Sequence, residues 1–214
     1  MKKVFVKKVF FIVLILVVIC GAYYIFKIEK RKLMKVPNGT VSLEFPLKGG
    51  PFEAVQSGPN GSTHTQPPEK YALDIAKPVK FSDFFKFRQS GLEVNQTFGT
   101  PVYSPCNGNI GKVMSGFPDM PIGTRGNENE ANRVLVNCDQ FNVMLVHFKK
   151  DSILVKVGDV VSVGQKIGLI GNSGASDFPH LHIIAYRPGP NPDDKTPLPI
   201  TFNGKYLFRG DIYP

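Results

Sequence analysis

Short apolar or alternating runs, separated by Gly, Pro, Asn and Asp, fill the chain from Val41 onward. Runs of about four to eight residues bounded by turn-forming residues predict β-strands. The predicted strands are Val41–Pro46, Tyr71–Ala76, Pro101–Ser104, Gly108–Met114, Arg133–Cys138, Asn142–Phe148, Ile153–Val157, Lys166–Ile170 and His180–Tyr186. The aromatic segment Phe81–Phe87 predicts a short helix. The pattern therefore predicts a mostly β domain over residues 41–214.

Two long connections interrupt this pattern, Gly49–Lys70 and Gly116–Asn132. Loops longer than about 12–15 residues in a compact domain are usually functional or disordered. On a β scaffold such loops can form the walls of a groove. A tolerated surface insertion is an equal alternative for the second loop, whereas the first contains a histidine, His64.

The N-terminal segment has a different character, because Val9–Phe26 is an uncharged run of 18 residues between Lys8 and Lys27. That length is about the minimum for a helix spanning a bilayer core of roughly 30 Å. The sequence predicts a basic tail over 1–8, a transmembrane anchor over 9–26 and a linker over 27–40. A cleaved signal peptide or a lipoprotein signal at Cys20 are alternatives, and the flanking lysines do not settle orientation.

Charge is concentrated in the same segment. Residues 1–35 hold nine of the 26 Lys and Arg residues and one acid, so they carry +8 of the net charge of +9. The remainder is nearly neutral, which gives no reason to expect nucleic-acid binding. Cys106 and Cys138 both follow predicted strands, and either a disulfide or two free thiols is compatible with the sequence.

Two of the four histidines, His180 and His182, are two residues apart in a predicted strand. Alternate strand residues share a face, so both imidazoles project with Ile184 and Tyr186, opposite Leu181, Ile183 and Ala185. Such a pair is typical of a metal-binding or acid–base site.

Three further residues are candidates for the same chemistry. Asp74 lies between apolar strand neighbours, where a carboxylate needs a cation, a metal or backbone donors. His147 is predicted on the face shared by Val143 and Leu145, where a hydrogen-bonded core histidine is the ordinary alternative. His64, Asp74 and one histidine of the later pair would supply the three ligands of a catalytic zinc site. The other two histidines could then handle protons.

The blocks that contain these residues resemble the lysostaphin/LytM-type zinc metallopeptidases. The motif Gly-Asn-Ser-Gly-Ala-Ser-Asp-Phe-Pro-His-Leu-His follows Val-Lys-Val-Gly-Asp-Val-Val-Ser-Val-Gly-Gln-Lys-Ile-Gly. Tyr-Ala-Leu-Asp-Ile-Ala, Gly-Thr-Pro-Val-Tyr-Ser-Pro-Cys-Asn-Gly and Leu-Val-His-Phe complete the ordered set. The likeness runs over residues 64–186.

This resemblance implies a small antiparallel β-sheet or β-sandwich domain with a groove. Together with the anchor predicted over residues 9–26, it predicts a membrane-anchored protein of the bacterial envelope whose catalytic domain faces the periplasm or cell wall. It implies a zinc endopeptidase, with one Zn²⁺ per chain, that cleaves peptide cross-links of peptidoglycan. The zinc ligands would be His64, Asp74 and His182, and the catalytic pair would be His147 and His180. The groove would be lined by Asn132, Asn172, Ser173 and Phe178.

The sequence departs from the family pattern at three places. His64 and Asp74 are ten residues apart rather than four, Leu145 stands where a tyrosine is frequent, and Phe178 stands where glycine is common. A catalytically silent peptidoglycan-binding or scaffold domain that regulates another hydrolase is therefore an alternative. A lipoyl-like adaptor domain is a second, suggested by the valine- and glycine-rich segment before the His-Leu-His motif.

Overall fold

The computed structural model describes residues 11, 13–26, 35–58, 64, 69–79, 91–191 and 194–214. The chain divides into two compact units, Met1–Pro37 and Asn38–Pro214. In the first unit, residues 11 and 13–26 are helical, and no helix among the described residues is long and apolar enough to cross a membrane. The predicted anchor Val9–Phe26 is not supported by the described residues. Three residues of that segment, Val9, Phe10 and Ile12, lie outside them.

The described part of the second unit is built from short strands, with 3-10 helices at Leu92–Val94 and Glu128–Glu130. In chain order the strands are β1 Val41–Leu43, β2 Phe52–Ser57, β3 Leu73–Ala76, β4 Pro101–Tyr103, β5 Gly108–Met114, β6 Arg133–Asn137, β7 Asn142–Val146, β8 Val160–Val161, β9 Lys166–Leu169, β10 Leu181–Pro188, β11 Lys195–Leu198, β12 Ile200–Phe202, β13 Lys205–Tyr206 and β14 Ile212–Tyr213. The prediction of a mostly β domain is confirmed.

A nine-stranded antiparallel sheet dominates this unit, in the order β14-β2-β3-β10-β7-β6-β5-β8, with β11 also paired to β10. Two smaller sheets accompany it. One has the order β1-β12-β13, in which β1 and β12 are parallel, and the other pairs β4 with β9. Strand β10 lies between β3 and β7, so residues from three distant parts of the chain meet at its start.

The two faces of β10 have different neighbours. Leu181, Ile183 and Ala185 are buried in the main hydrophobic core, whereas Ile184 and Tyr186 pack in a separate small cluster. The alternation predicted from the sequence is therefore confirmed for this strand. His182 is on the second face, away from the main core.

Other sequence predictions have mixed outcomes. Strand β5 has the predicted bounds, and several other strands begin or end within one or two residues of their predicted limits. The predicted strand Ile153–Val157 is wrong: Ile153 and Val155 pack against the core, but the segment joins no sheet ladder. The predicted helix Phe81–Phe87 lies outside the described residues.

Cys106 and Cys138 form a disulfide, with their Cα atoms 6.1 Å apart. The bridge joins the residues just before β5 and just after β6, two strands that are already paired. It therefore fixes one end of this hairpin, and Cys138 itself is part of the buried core.

Candidate metal and catalytic site

The pairing of β3 with β10 brings Asp74 and His182 together. The two residues are direct partners in the antiparallel register, so their side chains project from the same face of the sheet. The distance from His182 Nδ1 to Asp74 Oδ1 is 2.8 Å, and both side chains are about nine-tenths buried. The sheet register alone accounts for this contact.

Two more histidines surround the Asp74 carboxylate. His64 Nε2 lies 3.5 Å from Oδ2, and His180 Nε2 lies 3.5 Å from Oδ1. His64 is 7% exposed although it belongs to a loop, and His180 immediately precedes β10. One buried carboxylate is thus in contact with three imidazoles.

His147 completes the cluster through an unusual backbone conformation. Continued strand alternation would turn its side chain toward the core with Val143 and Leu145, as the sequence predicts. That prediction is wrong, because β7 ends at Val146 and His147 has a φ of 67°. The ring instead lies 4.7 Å, centroid to centroid, from His180, while Phe148 occupies the core.

The Nδ1 atoms of His147 and His180 both face backbone carbonyls. His147 Nδ1 lies 2.7 Å from the carbonyl oxygen of Ser173, and His180 Nδ1 lies 2.7 Å from that of Phe178. Because a carbonyl only accepts hydrogen bonds, the neutral form of each ring carries its proton on Nδ1. Each therefore has a basic Nε2, and that of His180 faces Asp74.

Burial and close charges act against each other in this cluster. Burial would raise the pKa of Asp74, but the charges and hydrogen bonds of His180 and His182 outweigh it and hold this pKa well below its ordinary value. Burial, together with the neighbouring His180 and His182, holds the pKa of His147 well below its ordinary value. At neutral pH the site therefore contains an ionised Asp74 and a neutral His147.

His182 behaves oppositely. Burial would lower its pKa, but hydrogen bonds and charges from Asp74 and Glu69 prevail and raise the pKa to about 10. Glu69 Oε2 lies 2.8 Å from His182 Nε2. Glu69 was not predicted from the sequence as a site residue. The one feature that could have indicated it is its position midway between His64 and Asp74 in the sequence.

The donor atoms suit a metal ion. Two groups of three described residues, which share His182, have donor atoms within 4.8 Å of one another: His147, His180 and His182, and His64, Glu69 and His182. The buried Nδ1 of His64 has no hydrogen-bond partner among the described residues. Imidazole nitrogens and carboxylate oxygens are the ligands that zinc prefers outside cysteine sites. The residues therefore fit a zinc ion, and each group constitutes a candidate metal site.

Three of the four predicted groove residues are fully buried behind the histidines. Asn132 Nδ2 donates to the carbonyls of Phe117 and Phe148, and the Ser173 hydroxyl donates to the carbonyl of Phe148. The Ser176 hydroxyl lies within hydrogen-bond distance of both Asn172 Oδ1 and the Phe178 carbonyl, and its single proton is donated to one of them at a time. These bonds fix the backbone carbonyls that in turn orient His147 and His180.

The long loop Gly116–Asn132 is hydrogen-bonded to the loop that precedes β10. Asp119 Oδ1 accepts from the backbone N–H of Asn172, and the Gly126 N–H donates to the carbonyl of Gly174. A Cβ on Gly171 would collide with Asp119 and with the Lys149 backbone, so this close approach requires glycine. The loop is thus part of the framework around the site.

Phe178 differs from the other predicted groove residues because it is partly exposed. Its ring lies 5.2 Å from that of His180 and lines a cavity of about 750 Å³. Among the described residues, this cavity is also lined by Pro179, Ala76, Ile122, Val55, Val79 and the charged residues Glu53, Lys77 and Asp177. The candidate site therefore opens beside a pocket large enough for part of a peptide.

The fold and site define a β-sheet protein with a histidine-rich candidate metal centre. Residues 87–194 match the model of Peptidase family M23, and the chain belongs to this family. The matched region contains His147, His180 and His182, whereas His64 and Asp74 precede it.

Parts of the chain are also similar to individual proteins. The chain is 34% identical over 103 residues to the peptidoglycan DD-endopeptidase ShyA of Vibrio cholerae, covering 46% of this chain and 21% of that protein. The matches span 17–28% of the length of the curated relatives that the chain matches. Similar solved structures include a zinc-containing peptidase from Vibrio cholerae. The two chains are 19% identical with a TM-score of 0.40, and the match covers 79% of this chain and 41% of the other. Another is lysostaphin from Staphylococcus simulans (21% identity, TM-score 0.41, 71% and 48%).

Proposed function

We propose that this protein is a zinc-dependent metalloendopeptidase that cleaves peptide cross-links of bacterial peptidoglycan. The observation that carries the proposal is the buried Asp74 carboxylate, which lies 2.8 Å from His182 and 3.5 Å from both His64 and His180. Membership of Peptidase family M23 supports peptide-bond hydrolysis, and the likeness to a peptidoglycan endopeptidase supports the substrate class.

In this proposal His64, Asp74 and His182 hold the zinc ion. Two neutral nitrogens and one carboxylate leave the loaded site with a net positive charge. When bound, zinc supplies Lewis acidity for the scissile carbonyl and lowers the pKa of a bound water to roughly 7. The protein contributes a site shielded from solvent, because His64, Asp74 and His182 are only 7%, 8% and 9% exposed.

His180 and His147 are the proposed proton-handling pair. With Nδ1–H donated to the Phe178 and Ser173 carbonyls, Nε2 of each neutral ring carries the lone pair that accepts a proton from the attacking water. The protonated ring can then donate to the developing oxyanion and to the leaving amine. The low pKa of His147 favours a ring that starts the reaction in its neutral, basic form.

The proposed substrate path passes Phe178 and enters the adjoining cavity. Asn132, Asn172 and Ser173 support this path from beneath, since their side chains are hydrogen-bonded within the protein. The exposed aromatic ring and the charged lining of the cavity suit a peptide that carries both apolar and ionised groups.

The proposed location is the bacterial envelope, with the catalytic unit in the periplasm or at the cell wall. Peptidoglycan lies there, and the Cys106–Cys138 disulfide is typical of an oxidising compartment. A reduced pair of thiols in protein isolated under alkylating conditions would count against this location.

Metal analysis combined with digestion of purified sacculi tests the function. The purified chain should contain about one zinc per molecule and release cross-linked peptides as shorter muropeptides, detected by liquid chromatography and mass spectrometry. Chelation and His182→Ala should both abolish release, and added zinc should restore it only in the chelated wild type.

Arg187→Ala is the matched control, because Arg187 is exposed on the same strand β10 and should leave both readouts unchanged. Zinc binding with no turnover on any sacculus would instead identify a silent, peptidoglycan-binding domain. Muropeptide release that survives both chelation and His182→Ala would contradict the proposed mechanism.

A further inference from the structure

Glu69 is an acidic residue that contacts the candidate metal centre from the side opposite Asp74. Its Oε2 lies 2.8 Å from His182 Nε2, although 39% of the Glu69 side chain is exposed. Among the described residues, no aligned hydrogen-bond donor faces this buried oxygen, and its contact with His182 is that of an ion pair. A carboxylate oxygen withdrawn from water with one polar neighbour implies that its interaction with His182 matters.

The two ring nitrogens of His182 have different surroundings. Nδ1 lies 2.8 Å from Asp74, the carboxylate around which His64 and His180 are also arranged. Nε2 faces Glu69 instead. Asp74 and Glu69 therefore contact opposite nitrogens of the same ring.

We propose that Glu69 is a positioning residue whose carboxylate pairs with the protonated Nε2 of His182 and so presents Nδ1 to the metal. This inference rests on the proposed zinc site. A metal-ligating histidine commonly donates its second ring N–H to a carboxylate, which fixes the tautomer and ring orientation and makes the ligating nitrogen more basic. Glu69 would perform that role from the loop between His64 and β3.

The charge balance of the site gives the interaction a second effect. Three imidazoles contact the buried carboxylate of Asp74, and a nearby second carboxylate offsets part of the positive charge that a divalent ion brings. Of the two carboxylates, Asp74 is buried and Glu69 is partly exposed. It can therefore stabilise the loaded site at a smaller desolvation cost than a second fully buried acid.

The test compares zinc affinity in full-length variants by competition with a chromogenic chelator. Glu69→Ala removes the acceptor and the charge, and should raise the zinc Kd by about 10–100-fold. Glu69→Gln keeps an oxygen acceptor without the charge, so its Kd should lie between those of Glu69→Ala and the wild type. Glu130→Gln removes one negative charge from an exposed site and should leave the Kd within about twofold.

A second readout separates positioning from simple folding stability. In imidazole nitrogen NMR of the zinc-loaded wild type, His182 should show a protonated Nε2 and a metal-bound Nδ1. In Glu69→Ala the Nε2–H signal should broaden through faster solvent exchange, while Glu130→Gln should reproduce the wild type.

The possible failures are distinguishable. If the wild type binds no zinc, both the proposed function and this inference are overturned. If the wild type binds zinc but Glu69→Ala has the same Kd and the same Nε2–H signal, only the role of Glu69 is overturned. Should Glu69→Ala fail to fold, the Kd of Glu69→Gln decides the matter, because a wild-type Kd in that variant would also overturn the role of Glu69.

Discussion

Asp74 and His182 are direct partners across β3 and β10, and their side chains are joined at 2.8 Å although 108 positions separate them in the sequence. Strand pairing, rather than a local motif, therefore assembles the centre of the site. His64, His147 and His180 are arranged around this pair from two loops and the end of β7.

Asp74→Asn should weaken zinc binding by more than about 100-fold. Replacing a residue that only contacts a metal ligand typically costs less, about 10–100-fold. The amide keeps the size of the side chain but removes the negative charge that offsets the surrounding imidazoles. Equilibrium dialysis against buffered zinc provides the measurement. Asp139→Asn, at an exposed position, is the matched control, and equal zinc affinity in the two variants would contradict the assigned ligand.

His180→Ala and His147→Ala should each lower kcat by about 10²–10⁴-fold while the protein retains one zinc. Both rings are proposed to move protons rather than to bind metal, so zinc content and turnover should separate. Metal analysis of the purified variants, alongside muropeptide release, tests this. Loss of zinc from either variant would place that histidine among the ligands instead.

The metal-free protein should lose stability as pH rises from about 7 to 9. The folded pKa of His182, about 10, lies above its ordinary value of 6.5. Its stabilising contribution is therefore complete below about pH 6.5 and disappears as pH rises through 10. The expected decrease in the free energy of unfolding is about 1 kcal/mol per pH unit.

Urea unfolding in the presence of a chelator measures this slope, with His182→Ala as the variant that should lack it. Equal slopes for the two chelated proteins would mean that His182 carries no extra proton in the folded state.

Replacing both bridged cysteines, Cys106→Ala with Cys138→Ala, should lower the free energy of unfolding by about 3–4 kcal/mol. The bridge closes a loop with a sequence separation of 32, and its loss enlarges the unfolded ensemble. Urea unfolding of the oxidised wild type and the double variant gives the difference. A change below about 1 kcal/mol would show that β5 and β6 pairing already holds the hairpin.

The sequence predicts much of this site because its main relationships follow strand periodicity. The two faces of β10 and the limits of β5 come from apolar alternation and turn residues alone. Asp74 is recognisable as a carboxylate between apolar neighbours, which demands a partner. Period-two patterning carries no information about register. The family resemblance placed Asp74 and His182 in one predicted ligand set, and the structure adds that they are direct partners across β3 and β10.

The position of His147 was predicted on the wrong face because alternation assumes that a strand continues. Strand β7 ends just before His147, which has a positive φ, and the residues Leu-Val-His-Phe contain no turn-forming residue that would predict this end. Glu69 was missed for another reason: an acid in a polar, proline-rich loop looks solvated. The segment Ile153–Val157 shows that an alternating pattern can bury side chains without backbone pairing.

A site divided between β3, the end of β7 and the start of β10 has a consequence for biosynthesis. Asp74 emerges from the ribosome long before its partner His182, so the nascent chain passes through a period without a competent centre. Long-range strand pairing is also the slow part of folding for β proteins. Peptidase activity should therefore appear only after β3 and β10 have paired, so that the nascent chain is inactive while it is still unfolded.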